Sequence, residues 1–277
     1  MDNQYCLRVC CTLKGLTFTI RFQTAQFKEH TQKLTRRTYL IPPPSVVAGL
    51  FGAILGISRN NLYELGKKIL TGADLINFEG RTVNLARIFR IDKSVTQLIN
   101  ILKKYYNIDN KERLEIIKNI QELLPTKESE ELYMAEYKFA IASSDENLID
   151  KGFRRLRDLD FEYDIFGGND YHFVDFIGNA SYANVKKRNQ ARGYCRRKDF
   201  EGIGASSFEI TWNISNAQRI PLVIPVTFLA NVNEEFIAVY GTDIISKREL
   251  YVVDDGKSQI FVYEVAPFIV SWENVKQ

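Results

Sequence analysis

The chain has 277 residues, a net charge of only +3, and 45% hydrophobic and 26% charged residues. This composition is ordinary for a soluble globular protein, and the small net charge excludes a chain-wide field that attracts polyanions, so a nucleic-acid site has to be a local patch. Four cysteines without regular spacing predict reduced thiols in a cytoplasmic protein, and the sequence predicts no metal site, no cofactor and no membrane segment.

The first elements along the chain are a strand and a basic segment. Apolar residues alternate loosely from Cys6 to Phe22, which predicts one long strand or two strands joined near Gly15. Residues 23–39 are polar and basic and are predicted to form a surface loop. This loop carries Lys28, His30, Lys33, Arg36, Arg37 and Tyr39.

The most distinctive stretch is residues 41–57, which read IPPPSVVAGLFGAILGI. Three prolines bring the chain in as an extended segment, and Ser45 follows where a helix N-cap belongs. The residues after it are apolar on every side, which predicts a buried helix whose small residues let a neighbour approach closely. The start of a helix carries unpaired N–H groups and can receive a phosphate, although a plain buried helix behind a solvated basic segment is the alternative.

Helices and strands alternate over the next hundred residues. The patterns predict a helix over 60–70, strands over 75–91 around a turn at Gly80, helices over 94–106 and 111–124, an acidic linker at 128–131, a strand over 132–142, a helix over 146–158 capped by Asp145, and a strand over 161–166. Without the helical pair at 94–124, this is the strand and helix order of a split βαβ, or ferredoxin-like, arrangement. That pair then becomes an insertion between the two middle strands.

The chain changes character from Tyr171 onward. Short strand candidates recur at 173–177, 208–214, 221–229, 236–240, 250–253 and 260–265, and Asp255-Gly256 predicts a tight hairpin between the last two. The predicted fold class is α+β. A ferredoxin-like (RRM/RAMP) N-terminal domain covers 1–170, with its insertion at about 92–130, and a β-rich C-terminal region covers 171–277.

Positive charge is densest in residues 186–198, KKRNQARGYCRRK, where seven of thirteen residues are Lys or Arg and none is acidic. Such a cluster neutralises phosphates, and Tyr182 and Tyr194 are candidates to stack on unpaired bases. We therefore predict nucleic-acid contact, which charge reversal at Arg196 and Arg197 should weaken; a solvated loop is the alternative. The candidate contacts here are Lys186, Lys187, Arg188, Arg192, Arg196 and Arg197. The glycine-rich residues 201–207 are a weak signal for a phosphate cradle, and a turn between strands explains them equally well.

Groups suited to catalysis are few. A general base for RNA cleavage is most naturally a histidine, and His30 with Lys33 and Tyr39 offers a possible acid–base site. A histidine in a basic loop is more often a phosphate contact, and His172 merely follows a Gly167-Gly168 break. We predict no catalytic residue.

The segment YLIPPPSVVAGLFGAILGI, behind its basic loop, resembles the signature of the CRISPR-associated "Cas five" family of the RAMP superfamily. That signature is an aromatic-x-x-Pro-(Pro/Thr)-x-Ser segment leading into Gly-Leu-x-Gly-Ala-x-Leu-Gly. The matching residues are Tyr39, Pro42, Pro43, Ser45, Gly49, Leu50, Gly52, Ala53, Leu55 and Gly56. Residues 166–170, FGGND, also resemble a segment of the type I-A/I-B branch.

The resemblance implies a non-catalytic subunit of a type I Cascade surveillance complex that grips the 5′ handle of the CRISPR RNA. Its implied partners are this RNA, a backbone subunit of the "Cas seven" family, the large subunit and, indirectly, target DNA. Family members carry an insertion between the middle strands, called the thumb, that reaches along the guide RNA. In this chain, the strand with Arg87 and Arg90 would form the base of the thumb. The helical pair at 94–124 departs from the hairpin that is expected there. Together with Ser45 and Tyr39, the basic residues named above are the expected RNA contacts.

Two other functions stay open. One is a metal-independent endoribonuclease that processes precursor CRISPR RNA with His30 as general base, as a type I-C branch of the family does with a Tyr–Lys–His site. The other is a protein–protein scaffold whose basic loops are incidental.

Overall fold

The fold is that of a computed structural model, which describes residues 12–29, 36–87, 126–168, 171–204, 222–228 and 234–269. The described chain is mixed α/β, with a ten-stranded sheet, a separate two-stranded ribbon and three α-helices. Its strands are β1 (Lys14–Ala25), β2 (Phe27–Lys28), β3 (Thr38–Tyr39), β4 (Ile69–Asn77), β5 (Gly80–Arg87), β6 (Thr126–Ser143), β7 (Val174–Arg196), β8 (Phe200–Ile203), β9 (Leu222–Phe228), β10 (Glu234–Asp254), β11 (Gln259–Phe261) and β12 (Tyr263–Glu264). Its helices are α1 (Pro44–Leu55), α2 (Leu62–Gly66) and α3 (Glu146–Asp158).

Strand β1 lies at the centre of the sheet. It pairs antiparallel with β6 on one side and with β7 on the other, and β4 pairs antiparallel with β6. The order β4-β6-β1-β7 results, with α1 between β1 and β4 in the chain and α3 between β6 and β7. The first strand is thus confirmed over β1, whereas residues 1–11 lie outside the described part.

The two long helices cover one face of this sheet. Alternate β1 residues, from Leu16 to Phe22, are fully buried on that face. A Cβ built on Gly152 of α3 would lie 2.6 Å from the Phe51 ring of α1 and 3.3 Å from Leu16, so both helices and β1 meet there. The predicted helix over 146–158 is confirmed, and the Asp145 carboxylate caps it by accepting from the Leu148 amide at 3.4 Å.

Helix α1 confirms the predicted apolar helix but begins differently. Pro43 is its N-cap and no side chain caps it, so the prediction that Ser45 is the N-cap is wrong; Ser45 lies in the first turn. A proline at the first helical position has the right φ and no amide to leave unpaired, which lets the helix start at Pro44, two residues earlier than predicted. The helix ends at Gly56, whose φ of 75° is left-handed.

Basic side chains of α3 bind the free carbonyls at the end of α1. Lys151 Nζ donates to Leu55 O at 2.9 Å, and Arg155 donates to Ile54 O at 3.3 Å. Cations at this end of a helix also stabilise its dipole. Part of the basic face of α3 is therefore structural.

The segment from β10 to β12 covers the opposite face of the sheet. The Thr17 hydroxyl donates to the Asp255 carboxylate at 3.0 Å, and Lys138 forms an ion pair with the same carboxylate at 2.5 Å. Around them lies a second apolar cluster of Leu70, Ala140, Ala142, Val253, Ile260 and Val262. The predicted Asp255-Gly256 hairpin is confirmed, because β10 and β11 pair across residues 255–258.

One predicted element is partly wrong and two are wrong. The helix predicted over 60–70 is present as a 3₁₀ turn and α2 but ends at Gly66. The chain is already in β4 at Ile69, since pairing with β6 outweighs the helical pattern there. The acidic residues 128–131 belong to β6, where the Glu130 carboxylate binds Arg81 and the Thr38 amide. Residues 161–166 are not a strand; Phe166 makes a single bridge to Phe173, and β7 is the strand beside β1.

The remaining β predictions are partly confirmed. The two strands around Gly80 are β4 and β5, and the candidates at 236–240 and 250–253 are parts of the one long strand β10. The candidate at 173–177 extends into β7, which is 23 residues long. The helical pair at 94–124 and the strand at 208–214 lie outside the described residues. No helix in the described ranges is long and apolar enough to cross a membrane.

Candidate nucleic-acid interface

The basic run 186–198 is not a solvated loop, the alternative that the sequence left open: it forms the end of β7 and a 3₁₀ turn. Pairing with β10 over 236–254 places it beside a strand that carries carboxylates. Strand pairing therefore decides which of these cations have acidic partners.

The second half of the run is neutralised by acidic residues. Arg192 lies 3.2 Å from the Asp243 carboxylate and 3.8 Å from that of Asp74. The Glu234 carboxylate pairs with Arg196 at 3.1 Å and with Lys198 at 3.4 Å, and Arg197 pairs with Glu235. These cations form ion pairs between β7 and β10, so the predicted charge reversal at Arg196 and Arg197 would also break their pairs with Glu234 and Glu235.

The first half of the run is open. Lys186, Lys187 and Arg188 are exposed, and Lys186 has only a loose pair with Asp254, at 3.9 Å. Lys187 Nζ lies 5.2 Å from the centre of the Tyr251 ring, and Arg188 has no acidic partner among the described residues. Three cations with little neutralisation are suited to phosphate contact.

The two predicted stacking tyrosines are unsuited to that role. Tyr194 is fully buried against Phe236, so it cannot receive a base, and the prediction for it is wrong. Tyr182 is 46% exposed, but its ring already stacks on Phe153 at 4.3 Å and faces Lys14. Tyr251 was missed because the sequence does not give the register that places it opposite Lys187.

The predicted basic loop 23–39 is partly a ribbon, formed by the pairing of β2 with β3. Lys28 and Arg37 are exposed on it, and neither has an acidic side-chain partner within the described ranges. The backbone of Arg36 bonds to Glu128 and Glu130 of β6, which fixes the ribbon to the sheet. His30 and Lys33 lie outside the described residues.

Tyr39 and the start of α1 are less accessible than predicted. Tyr39, one of the expected RNA contacts, is 4% exposed and belongs to the core, so its ring is not open to a base. Its backbone pairs with Phe27, which turns the ring inward. Ser45 is half-buried, and the neighbouring Pro44 carbonyl accepts from Thr71 at 3.1 Å.

For the remaining basic candidates, Arg87 and Arg90, the side chains lie outside the described part of the structure. Arg87 ends β5 opposite Thr126, at the end of the ribbon that β5 and β6 form, and Arg90 lies outside the described residues. Of the glycine-rich segment, residues 201–203 belong to β8, and 205–207 lie outside the described part.

His172 sits in a buried polar cluster at one end of the sheet. Its Nδ1 lies 2.7 Å from the Thr24 hydroxyl, and its Nε2 is buried with no hydrogen-bond partner in the part of the chain that is described. Burial lowers the pKa of His172 to about 4, so it is neutral at physiological pH. Nearby, the Glu131 carboxylate accepts from Asn84 at 2.8 Å and from Tyr171 at 3.4 Å. The cluster is closed to a substrate and ties the polar end of β6 to its neighbours.

The family comparison decides what kind of protein carries these surfaces. A family model described as CRISPR-associated protein (Cas_Cas5) matches residues 15–215, which is most of the chain. The chain belongs to this CRISPR-associated family. The match spans α1 with its glycines, the ribbon of β2 and β3, and all of β7.

Solved structures similar to this Cas_Cas5 family member include proteins of CRISPR systems. A CRISPR protein from Archaeoglobus fulgidus is 9% identical, with 91% of this chain and 99% of that chain covered and a TM-score of 0.45. A chain of a CRISPR RNA-guided surveillance complex is 12% identical, with 84% and 91% covered and a TM-score of 0.43. A Cas protein is 15% identical with a TM-score of 0.34, and the match covers 57% of this chain and 58% of that one. A comparison with curated proteins finds no match.

Proposed function

We propose that the protein is a non-catalytic CRISPR RNA-binding subunit of a type I Cascade surveillance complex, of the type I-A/I-B-like branch. Family membership over 15–215 supports a CRISPR-associated role. The observation that carries RNA binding is the pair of exposed basic surfaces, one with Lys28 and Arg37 at the β2–β3 ribbon and one with Lys187 and Arg188 on β7, where these four cations form no ion pair with a described acidic residue. In this proposal they grip the 5′ handle of the guide RNA.

The proposed core of the subunit is ferredoxin-like. Strands β1, β4, β6 and β7 with helices α1 and α3 have the order of a split βαβ, and their pairings are all antiparallel. The division into 1–170, with an insertion at about 92–130, and a β-rich 171–277 is part of the proposal. In this division, β7 belongs to the second region but pairs with β1 in the sheet of the first.

The proposed partners follow from the same role. In a Cascade complex, the subunit contacts the "Cas seven" backbone and the large subunit, and meets target DNA only indirectly. The proposed site of action is the cytoplasm. Ser45, at the start of α1, and Arg36, just before β3, complete the proposed contact region with His30, Lys33, Arg87 and Arg90.

The proposal assigns no catalytic role. In support, the described histidine, His172, is buried and neutral, and its unpaired nitrogen does not reach the surface. Cleavage with His30 as general base is the alternative that the experiment below also tests.

The test is a binding and cleavage assay with purified protein and RNA carrying the repeat-derived 5′ handle. The double variant Lys28→Glu/Arg37→Glu should bind at least about tenfold more weakly, because each reversal replaces phosphate attraction with repulsion. The control, Lys68→Glu/Lys257→Glu, makes the same charge change at exposed lysines away from the ribbon and should bind normally. Failure of the wild type to bind, even with the backbone subunit present, would refute RNA binding. Specific cleavage that is lost on His30→Ala would overturn the non-catalytic assignment.

A further inference from the structure

Tyr251 is an exposed aromatic residue set in positive charge on the β7–β10 pair. Its side chain is 41% exposed, and it lies directly opposite Lys187 in the strand register. The Lys187 ammonium lies 5.2 Å from the ring centre, at cation–π distance. One side of an aromatic ring is thus held next to a cation while the rest remains open to solvent.

The position of Tyr251 is fixed by its neighbours. Val252 and Val253 follow it directly, and both are fully buried, in the two different apolar clusters. Pairing with β7 runs without a shift from Leu250 to Asp254. A ring anchored in this way loses little conformational entropy on contact with a ligand.

The charge around Tyr251 favours a polyanion. Arg188 lies opposite Leu250, and Lys186 lies opposite Val252. Since successive side chains of a strand point to opposite faces, these two cations precede and follow Lys187 along β7 but face the other side of the strand pair from Tyr251. Lys247 is also exposed, in a bulge of β10 that faces residue 189. Against these four cations stand the carboxylates of Glu249 and Asp254, which leaves a net charge of +2 from the six side chains.

We infer that Tyr251 stacks on an unpaired base of RNA while Lys187 contacts the adjoining phosphate. This inference rests on the proposed RNA-binding function and names the chemistry of one of its contacts. An aromatic face beside cations is the arrangement that single-stranded nucleic acid requires, because every base presents a π face and every linkage a negative charge. A protein interface fits this surface less well than RNA does, because charged residues such as the three consecutive cations of β7 are depleted at the core of protein interfaces.

The experiment compares binding of single-stranded handle RNA with binding of the same sequence in a duplex. Tyr251→Ala should weaken single-strand binding by about 5- to 150-fold, the usual effect of losing one base–aromatic stack. Tyr251→Phe should stay within about threefold of the wild type, because it keeps the ring. Duplex binding should be insensitive to both changes, since paired bases cannot stack on the protein. Lys187→Glu/Arg188→Glu should weaken both.

Controls separate this inference from the proposed function. Tyr163→Ala removes a tyrosine of similar exposure, 47%, outside this surface and should leave RNA affinity unchanged, and thermal melting checks that each variant is folded. If Tyr251→Ala binds RNA like the wild type while the Lys28/Arg37 variant does not, the stacking inference is wrong and the proposed function stands. If it loses a protein subunit of the complex but not RNA, the surface is a protein interface and the inference is wrong. A wild type that binds no RNA refutes both.

Discussion

The cations of one sequence run have different roles, and the difference lies in their partners. Lys187 and Arg188 point into solvent, whereas Arg192 and Arg196 pair with carboxylates. The nearest of these partners, Glu234, is 38 residues from Arg196 along the chain, and Asp74 precedes Arg192 by more than a hundred. The density of charge was therefore predictable from the sequence, but its division into open and neutralised halves depends on strand register.

The dependence of protein stability on pH tests the pair of the buried Asp74 with Arg192. It is 4% exposed, and burial raises its pKa to about 7, although Arg192 opposes the shift. A carboxyl with a raised pKa in the folded state holds its proton there while the unfolded chain releases it. It therefore makes the protein less stable as pH rises from about 4 to about 7.

We expect Asp74→Asn to remove this pH dependence. Relative to the wild type, the variant should gain roughly 2–3 kcal/mol of unfolding free energy between pH 5 and pH 8, as measured by denaturant unfolding. Asp175→Asn is the control, because that carboxylate also pairs with an arginine, Arg21, at 2.6 Å, but at a more exposed position. An equal stability difference at both pH values would show that Asp74 is ionised throughout.

At the scale of elements, the glycines of α1 and α3 serve packing. A Cβ on Gly52 would lie 3.0 Å from Leu62 of α2, so this glycine lets the two helices approach. Gly49, in the same helix, has room for a Cβ, which would lie 3.9 Å from Leu62, at ordinary van der Waals distance. The sequence predicted small residues as contact points but not which of them is needed.

Gly152→Ala and Gly49→Ala test that difference. Alanine normally stabilises a helix by about 1 kcal/mol relative to glycine. At Gly152 the new methyl group would overlap the fully buried Phe51 ring, so we expect a net loss of about 1–2 kcal/mol. At Gly49 we expect a gain of up to about 1 kcal/mol. Thermal or denaturant unfolding measures both, and a stabilising Gly152→Ala would mean that Phe51 can shift without cost.

Elements with local signals were predictable, and those with distant partners were not. Helix α3 has its cap at Asp145 and its apolar period within one segment, and its bounds were predicted correctly. The acidic start of β6 looks like a linker because its stabilising contacts, Arg81 and Thr38, lie far away in the chain. Residues 161–166 alternate like a strand, but β7 occupies the place beside β1.

For the molecule as a whole, the two long strands β7 and β10 connect the N-terminal and C-terminal regions of the chain. Strand β7 pairs with β1 over its first half and with β10 over its second half. It thereby links the sheet under α1 and α3 to the C-terminal strands, and it carries the open cations away from the ribbon of β2 and β3. The candidate site is therefore two basic surfaces on one framework, an arrangement that no local motif in the sequence reveals.

Salt dependence of RNA binding measures how many of these cations contact phosphate. With a net charge of only +3, the chain has no strong overall field, so the slope of log affinity against log salt should count local contacts. If Lys28, Arg37, Lys187 and Arg188 each neutralise one phosphate of single-stranded RNA, the slope is about −3, at about −0.7 for each contact. Removing one pair should lower its magnitude by about 1.4, and removing both pairs should nearly abolish it. Lys257→Glu should leave the slope unchanged. A steep slope that survives loss of all four cations would mean that the ion-paired arginines of β7 exchange their carboxylates for phosphates, contrary to the division of roles proposed here.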